Sequence, residues 1–340
     1  MDSSSSGSGL GGTPRAGLAE WKHRLRLAIP PVMFVIAAGA LYTQLRDIGA
    51  AAVLHQLFEL SGLTLALAVL TTVLSYISLT LYDSAGLIYI RKPRPYRSTM
   101  AVSFIAFTFS NNLGMAGMGG APLRYRYFRS LGIPGADVLR IVAFGSITFW
   151  VGFLALSGVF LSVVPLDVPP EFSLLAGSTR PLGLALLLGL AGYLAWGLRR
   201  GRVLQIAEWT LPAPGPLMAG TQILLGAADW LLVGAALYVL LPSTVTASFS
   251  WFMAVFLLAQ TAALVSTVPG GLGVLETVIL LFLAGDGHGP EVIGALLAYR
   301  VIYYLGPLFL AIVLLAVFHF MQRRLPQEQP GEPERAGVVA

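Results

Sequence analysis

The sequence predicts an all-α polytopic integral membrane protein, with about six full transmembrane helices and two re-entrant, glycine-tipped helical hairpins that form an inverted repeat. Of the 340 residues, 56% are hydrophobic and only 11% are charged, whereas soluble chains carry about 25% charged residues. Charged residues are absent from four long runs, at 60–82, 98–123, 141–166 and 230–275. Each run exceeds the roughly 18 apolar residues that cross a bilayer core as a helix. Strand-like alternation is absent, which argues against a transmembrane barrel.

The apolar pattern divides into uninterrupted spans and interrupted ones. The six candidate spans are 27–45, 63–82, 138–164, 182–198, 217–241 and 292–318. Two further stretches, 101–132 and 251–285, are broken by glycine-rich tips at 114–120 and 269–273. Each broken stretch could be a full crossing or a hairpin that enters and leaves by the same face of the membrane.

The distribution of basic residues favours the hairpins. If the N-terminus is cytoplasmic and both broken stretches are re-entrant, every Lys and Arg except Arg46, Arg180 and Arg300 falls on the cytoplasmic side. Full crossings would move several of them outside, against the positive-inside rule. The sequence therefore predicts a multi-pass membrane protein with both termini cytoplasmic.

The order of spans predicts two related halves. A shift of 152 residues places Gly119 on Gly271, Arg124 on Glu276, and the span 138–164 near 292–318. Because each half has three crossings, the second half is inserted upside down, as in many transporters that bind substrate at paired broken helices. We expect a polar disordered tail at 1–20, a membrane domain at 21–322 with halves 21–166 and 181–322, and a short polar tail at 323–340.

Composition and motifs argue against several kinds of site. There is no cysteine, and the four histidines are scattered without metal-binding spacing. The sequence contains no HExxH, G-x-S-x-G or P-loop motif. We therefore expect no metal, no cofactor and no enzymatic activity, although Glu276 and Asp229 could in principle serve as acid or base.

The most informative charge is Arg300, about eight residues into the last span and roughly 12 Å deep. A charge at that depth costs about 2.5–3.5 kcal/mol on insertion scales, so we expect it to face the interior and to have a partner. Glu276, just after the second glycine tip, is the natural partner, in a pair that could be structural or functional. Helical spacing predicts Tyr303, Tyr304 and Pro307 on the same side as Arg300.

A second group of polar residues surrounds the first tip. Arg124 lies in the first turn of a helix, where the macrodipole disfavours a cation. An anion between Arg124 and the free N–H groups of the tip would relieve this cost. Ser110, Asn111 and Asn112 lead into the same tip. Asp229 could line a cavity or be the partner of a backbone or arginine group.

The same segments resemble the lysylphosphatidylglycerol synthase transmembrane-region family. The first signature is Asn111-Asn112-Leu113, Gly119-Gly120, Arg124 and Gly132; the second is 269–276; the third is Tyr299-Arg300, Tyr303-Tyr304 and Pro307. The likeness covers about 21–324. The family includes the flippase half of the multiple peptide resistance factors, but only a short tail follows Arg324 here, so the resemblance does not imply lysyl-lipid synthesis.

The resemblance and the buried charges together imply a flippase-like protein that binds a polar or anionic lipid and translocates it between the leaflets of the bacterial inner (cytoplasmic) membrane. The alternatives are an accessory or scaffold subunit of a lipid or glycolipid pathway, and, less favoured, a membrane-embedded enzyme. Expected partners are membrane phospholipid or another amphiphilic lipid, with a second copy of the chain or a lipid-biosynthesis enzyme as further candidates, and no nucleic acid. The predicted headgroup-binding residues are Ser110, Asn111, Asn112, Gly119, Gly120, Arg124, Asp229, Pro269, Gly270, Gly271, Gly273, Glu276, Arg300, Tyr303 and Tyr304.

Overall fold

The structure is a computed structural model that describes residues 60–113, 120–164, 166, 178–198, 203–206, 209–266, 273–283 and 289–324. The predicted span 27–45, both predicted terminal tails (except residues 323 and 324) and most of the two glycine tips lie outside these ranges. Of the predicted site residues, Gly119, Pro269, Gly270 and Gly271 lie there as well.

The described residues are almost entirely helical. The first half contains α1 (Gly62–Tyr89), α2 (Tyr96–Leu113), α3 (Ala121–Ser130) and α4 (Gly135–Val163). The second contains α5 (Arg180–Leu198), β1 (Val203–Ile206), β2 (Trp209–Pro212), α6 (Pro216–Leu240), α7 (Phe249–Ser266), α8 (Val274–Leu283) and α9 (Gly289–Tyr299). A π-helical segment (Arg300–Leu305) then leads without a break into α10 (Gly306–Arg324). The chain from Gly289 to Arg324 is called the C-terminal helix below.

Five of the predicted spans are confirmed. Helices long and apolar enough to cross a membrane are Gly62–Tyr89, Gly135–Val163, Arg180–Gly197, Pro216–Leu240 and Gly289–Val317. The all-α polytopic fold class is therefore correct. The short antiparallel pair β1–β2, in which Val203 pairs with Pro212, was not predicted.

The first broken stretch folds back on itself as predicted. A Cβ at Gly120 would lie 2.2 Å from the Ala106 carbonyl oxygen, and the Tyr127 hydroxyl donates to the Ser98 carbonyl. The start of α3 thus lies near the end of α2, and the end of α3 lies near the start of α2, so the two helices are antiparallel. The ten residues of α3 extend only about 15 Å, half of the bilayer core.

The second broken stretch also returns to the side from which it came. Trp251, near the start of α7, contacts Phe282, near the end of α8, with ring centroids 6.3 Å apart. Both hairpins lie inside the bundle. Every residue from Phe252 to Ala259 of α7 is buried, as is every residue from Ile105 to Ser110 of α2. A helix that is apolar and buried all round belongs to the centre of a protein.

The two halves meet along α1 and α6. The Ser75 hydroxyl bonds to the Asp229 carboxylate, and the Ser78 hydroxyl donates to the Leu225 carbonyl, so these helices run antiparallel. They are the second helices of the two predicted halves, and an inverted repeat requires this direction. Shifting the starts of α1–α4 by 152 residues places them within two residues of the starts of α6–α9. The division into repeat halves remains a prediction that these bounds support.

Candidate functional site

The predicted partner of Arg300 is Glu276. Arg300 Nε and Nη2 both lie 2.7 Å from Glu276 Oε1. The Arg300 side chain is 3% exposed and that of Glu276 is 24% exposed. The arginine is thus enclosed, and the carboxylate lies on the open side of the pair.

The position of Glu276 is set by the start of α8. Gly273 precedes the helix with φ +80°, a conformation that glycine adopts without strain. Its backbone N–H donates to Glu276 Oε2 at 2.9 Å, while the Thr277 hydroxyl donates to its carbonyl. A glutamate at the third helical position that bonds back to the cap is half of a capping box. One carboxylate therefore links the end of the glycine tip to the buried arginine.

Arg300 begins the π-helical segment, and this changes which residues share its side of the helix. The Gly306 N–H donates to the Val301 carbonyl, five residues back. The Tyr304 ring lies 4.9 Å from the Arg300 guanidinium carbon, as the predicted clustering requires. The prediction for Pro307 is wrong, because the wider turn rotates it away onto an outward-facing groove. Single π turns of this kind are frequent at functional sites.

Pro307 also leaves a carbonyl without its helical donor. An α-helix would direct the N–H of residue 307 to the Tyr303 carbonyl, but proline has no N–H. The Tyr76 hydroxyl of α1 donates to that carbonyl at 3.2 Å. At membrane depth such a group must be satisfied within the protein. α1 therefore contributes to holding the distorted part of the C-terminal helix.

Asp229 is buried in a cluster of hydroxyl groups. The Ser75 hydroxyl donates to its Oδ1 at 2.6 Å, and the Tyr82 hydroxyl donates to its Oδ2 at 3.3 Å. Ser75 Oγ also lies 3.0 Å from the Tyr303 hydroxyl. The structure thus gives Asp229 side-chain hydroxyls as partners, where a backbone or arginine group was expected as one alternative, and its side chain lies at the contact between α1, α6 and the π-helical segment.

Arg124 has a protein anion as its partner. Its Nε lies 2.7 and 3.0 Å from the two Asp83 carboxylate oxygens, and both side chains are 1% exposed. The Ser103 hydroxyl donates to Asp83 at 2.7 Å, and the guanidinium carbon lies 4.0 Å from the centre of the Phe107 ring. The anion expected near Arg124 is therefore Asp83, which the sequence reasoning missed. Arg124 is enclosed together with this partner.

The polar residues beside Arg124 belong to the hairpin formed by α2 and α3, which is called the inner hairpin below. Ser110 Oγ accepts the Gly120 N–H at 3.0 Å and donates to the Ala106 carbonyl at 3.0 Å. The Asn112 amide donates to the Thr108 carbonyl at 2.9 Å. Asn111 is half-buried on the same helix. In this arrangement Ser110 links the start of α3 to α2, whereas the Asn112 bond to Thr108 lies within α2.

An apolar groove lies beside this polar interior. We call it the lateral groove: a cavity of about 630 Å³ between α1, α2 and the C-terminal helix. Its lining includes Val73 and Ile77 of α1, Met100 of α2, and Leu310 and Leu314 of α10. The groove opens outward, because Val73, Ile77, Met100 and Leu310 are all exposed.

The site as described suits binding of charged groups. Within the described ranges, no three His, Cys, Asp or Glu side chains are close enough to hold a metal ion. The chemistry present is a cation held by a partly exposed carboxylate, next to the N-terminus of α8, where free N–H groups attract anions. Among the predicted residues, Gly273, Glu276, Arg300 and Tyr304 come together here, whereas Tyr303 and Asp229 form the neighbouring hydroxyl cluster.

Comparison with known proteins gives matches over most of the chain. The profile described as "Lysylphosphatidylglycerol synthase TM region" matches residues 32–311. The uncharacterized protein slr0712 of Synechocystis is 36% identical over 90% of this chain and 95% of its own length. The inner membrane protein YbhN of Escherichia coli is 32% identical over 76% of this chain and 81% of its own length. The phosphatidylglycerol lysyltransferase of Bacillus subtilis is 25% identical over 84% of this chain, but the match spans only 34% of that protein.

Proposed function

Since the chain belongs to the lysylphosphatidylglycerol synthase transmembrane-region family, we propose that it binds a phospholipid headgroup at the Glu276–Arg300 pair and moves that lipid between the two leaflets. The observation that carries this proposal is the asymmetric pair itself, with its enclosed guanidinium and its partly exposed carboxylate. Intramembrane charges in such positions are expensive, and they commonly mark substrate pathways.

The proposed binding step is an exchange of partners. A lipid phosphate approaches the N-terminus of α8 and takes the place of Glu276 at the guanidinium, where a planar fork of donors suits a phosphate. An ammonium group on the same headgroup pairs with the released carboxylate. A zwitterionic headgroup keeps the site neutral, so it enters at lower electrostatic cost than a purely anionic one.

Release of Glu276 also changes the glycine tip. The same carboxylate accepts the Gly273 N–H, so a headgroup that draws the carboxylate away loosens the cap of α8. Movement of the hairpin formed by α7 and α8 relative to the C-terminal helix then exposes the headgroup to the opposite leaflet. In this proposal the residues bind and release, and they make or break no covalent bond of the lipid.

The proposed setting is the bacterial inner membrane with both termini cytoplasmic. YbhN, a relative over most of the chain, is an inner membrane protein by name. The basic loops on either side of the inner hairpin meet at one end of the bundle, where Lys92 Nζ lies 2.7 Å from Asp137 and Arg140 Nη1 lies 2.8 Å from the same carboxylate. Clustered basic loops favour the cytoplasmic side.

The test is lipid translocation in liposomes that contain the purified protein. Fluorescent phosphatidylglycerol and phosphatidylethanolamine are placed in both leaflets, and dithionite bleaches only those exposed outside. With wild-type protein, dithionite is expected to bleach more labelled lipid than the outer leaflet contains. The Arg300→Gln variant is expected to lose this translocation. The Arg140→Gln variant, which changes a partly exposed pair, is expected to keep it. The double variant Glu276→Gln/Arg300→Gln leaves no unpaired charge and separates a loss of binding from a loss of folding. Bleaching by wild type equal to that of empty liposomes for both lipids would overturn the proposal.

A further inference from the structure

Asp229 differs from the two other acidic residues enclosed in the bundle, because no arginine lies beside it. Asp83 pairs with Arg124, and Glu276 pairs with Arg300. Among the residues that the structure describes, no lysine, arginine or histidine forms an ion pair with Asp229, and its donors are two hydroxyl groups of α1. The residue is 2% exposed. A buried carboxylate without a cation loses its hydration and regains only part of it from hydroxyl groups, so a proton is its natural ligand.

Asp229 lies deep in the membrane domain. It follows Pro216, the first residue of α6, by thirteen residues, which corresponds to about 20 Å along a helix of 25 residues. Its bond to Ser75, near the middle of α1, joins the two halves of the protein at this depth. Ionisable groups placed in this way are typical of proton relays in pumps and transporters.

The titratable groups that face Asp229 are tyrosines. Tyr82 and Tyr76 come from α1, and Tyr303 comes from the π-helical segment. Glu291 of α9 is exposed at the start of its helix. Three other helices that pack against α6 have no charged residue in their membrane parts, which are 141–163 of α4, 181–198 of α5 and 249–266 of α7. Asp229 is therefore the group in this cluster that can change its charge most readily.

A chain of hydroxyl groups connects Asp229 to the π-helical segment. Ser75 Oγ donates to Asp229 Oδ1 at 2.6 Å and lies 3.0 Å from the Tyr303 hydroxyl. Because a serine hydroxyl has one hydrogen, Ser75 accepts from Tyr303 while it donates to the carboxylate. The Tyr303 ring packs against Tyr304, whose ring lies 4.9 Å from the Arg300 guanidinium carbon. The charge of Asp229 thus sets the direction of hydrogen bonds that end close to Arg300.

We propose that Asp229 binds and releases one proton, and that Ser75 passes this change to the π-helical segment. A proton supplied by water adds to Oδ1, the new O–H donates to Ser75 Oγ, and Ser75 then donates to the Tyr303 hydroxyl oxygen. Tyr303 must turn its own hydrogen away from Ser75. The only covalent bond that forms or breaks is the carboxyl O–H bond. Proton binding does not depend on lipid transport, whereas its coupling to lipid movement rests on the proposed function.

Infrared spectroscopy of the purified protein tests the proposal, because a protonated carboxyl group has a C=O band that a carboxylate lacks. Spectra of wild type and Asp229→Asn are recorded between about pH 5 and pH 8, where exposed carboxyl groups stay largely ionised. Labelling the aspartate side-chain carboxyl groups with a heavy carbon isotope separates their bands from those of glutamate. The expected result is a C=O band that appears reversibly as the pH falls, shifts with the aspartate label and is lost in Asp229→Asn.

Two serine variants of α1 test the chain of hydroxyl groups. Ser75→Ala removes a donor to the charged form of Asp229, so the C=O band should persist to higher pH. Ser78→Ala is the matched control, because the Ser78 hydroxyl also bonds from α1 to α6, but to the Leu225 carbonyl. This variant should show the band of wild type.

The proposal is wrong if no aspartate C=O band changes with pH in this range, or if the band that changes remains in Asp229→Asn. It is also wrong if sodium ions at constant pH change the Asp229 band while pH does not, since the site would then bind a metal cation. If Asp229→Asn does not fold, the labelled serine variants decide, and equal bands in Ser75→Ala and Ser78→Ala overturn the proposal. Lipid translocation is measured separately, so a titrating band without lipid movement would overturn the proposed function alone.

Discussion

The buried Arg124–Asp83 pair provides a sharp prediction about stability. Both side chains are 1% exposed, and Asp83 oxygens lie 2.7 and 3.0 Å from Arg124 Nε. Arg124→Met keeps much of the side-chain volume but leaves the Asp83 carboxylate buried without its arginine partner, while the Ser103 hydroxyl still donates to it. Removing one partner of a buried pair costs about 3–5 kcal/mol, because an uncompensated charge remains. We expect the free energy of unfolding to fall by about that amount.

The assay is denaturant unfolding in detergent micelles, followed by tryptophan fluorescence. The matched control is Arg140→Met, which breaks a pair 34% exposed at the arginine, where the expected loss is roughly 0–1 kcal/mol. The double variant Asp83→Leu/Arg124→Met should be more stable than Arg124→Met, since apolar residues can replace a buried pair at little cost. The reasoning is refuted if Arg124→Met is no more damaging than Arg140→Met.

Two further substitutions test the hairpin and the hydroxyl cluster. Gly120→Ala would place a methyl group 2.2 Å from the Ala106 carbonyl oxygen, so it should lower the yield of folded protein severely. The control Gly220→Ala places a methyl group that meets nothing within 4 Å, so it should be neutral or slightly stabilising. Equal yields of the two proteins, measured by size-exclusion chromatography, would contradict the close approach of α2 and α3. Asp229→Leu removes the acceptor of the Ser75 and Tyr82 hydroxyls, at about 1–3 kcal/mol for each donor left unsatisfied. Asp229→Asn retains one acceptor, so its free energy of unfolding, measured by denaturant, should fall less than that of Asp229→Leu. An equal fall for the two variants would argue against the hydroxyl bonds.

The sequence was sufficient for features that depend on composition and spacing. Long uncharged runs predicted the crossings, and basic residues on both sides of a glycine break predicted the inner hairpin. The Glu276–Arg300 pair could be predicted because few ionisable groups occur at that depth, and each needs a partner. These predictions depend on neighbouring residues in the sequence, or on the small number of ionisable residues within the membrane spans.

The features that were missed depend on tertiary packing. Asp83 lies one residue beyond an uncharged run, and nothing in its neighbourhood signals contact with a residue 41 positions away. Its best available signal was that it is an isolated acid within the apolar stretch that forms α1, next to Tyr82. The π-helical turn likewise depends on contacts with α1, such as the bond from Tyr76, and it displaced Pro307 from the predicted face. An α-helical periodicity could not anticipate that change.

Equilibrium binding of a short-chain lipid to the detergent-purified protein tests the central claim most directly. Dioctanoyl phosphatidylglycerol and dioctanoyl phosphatidylethanolamine are titrated into wild type, Arg300→Gln, Glu276→Gln/Arg300→Gln and Arg140→Gln, each shown to be folded. A charge-assisted bond is worth about 1.5–3 kcal/mol, so the Arg300 variants should bind roughly ten- to hundredfold more weakly, with Arg140→Gln unchanged. Equal Kd values for wild type and both Arg300 variants would contradict headgroup binding at this pair.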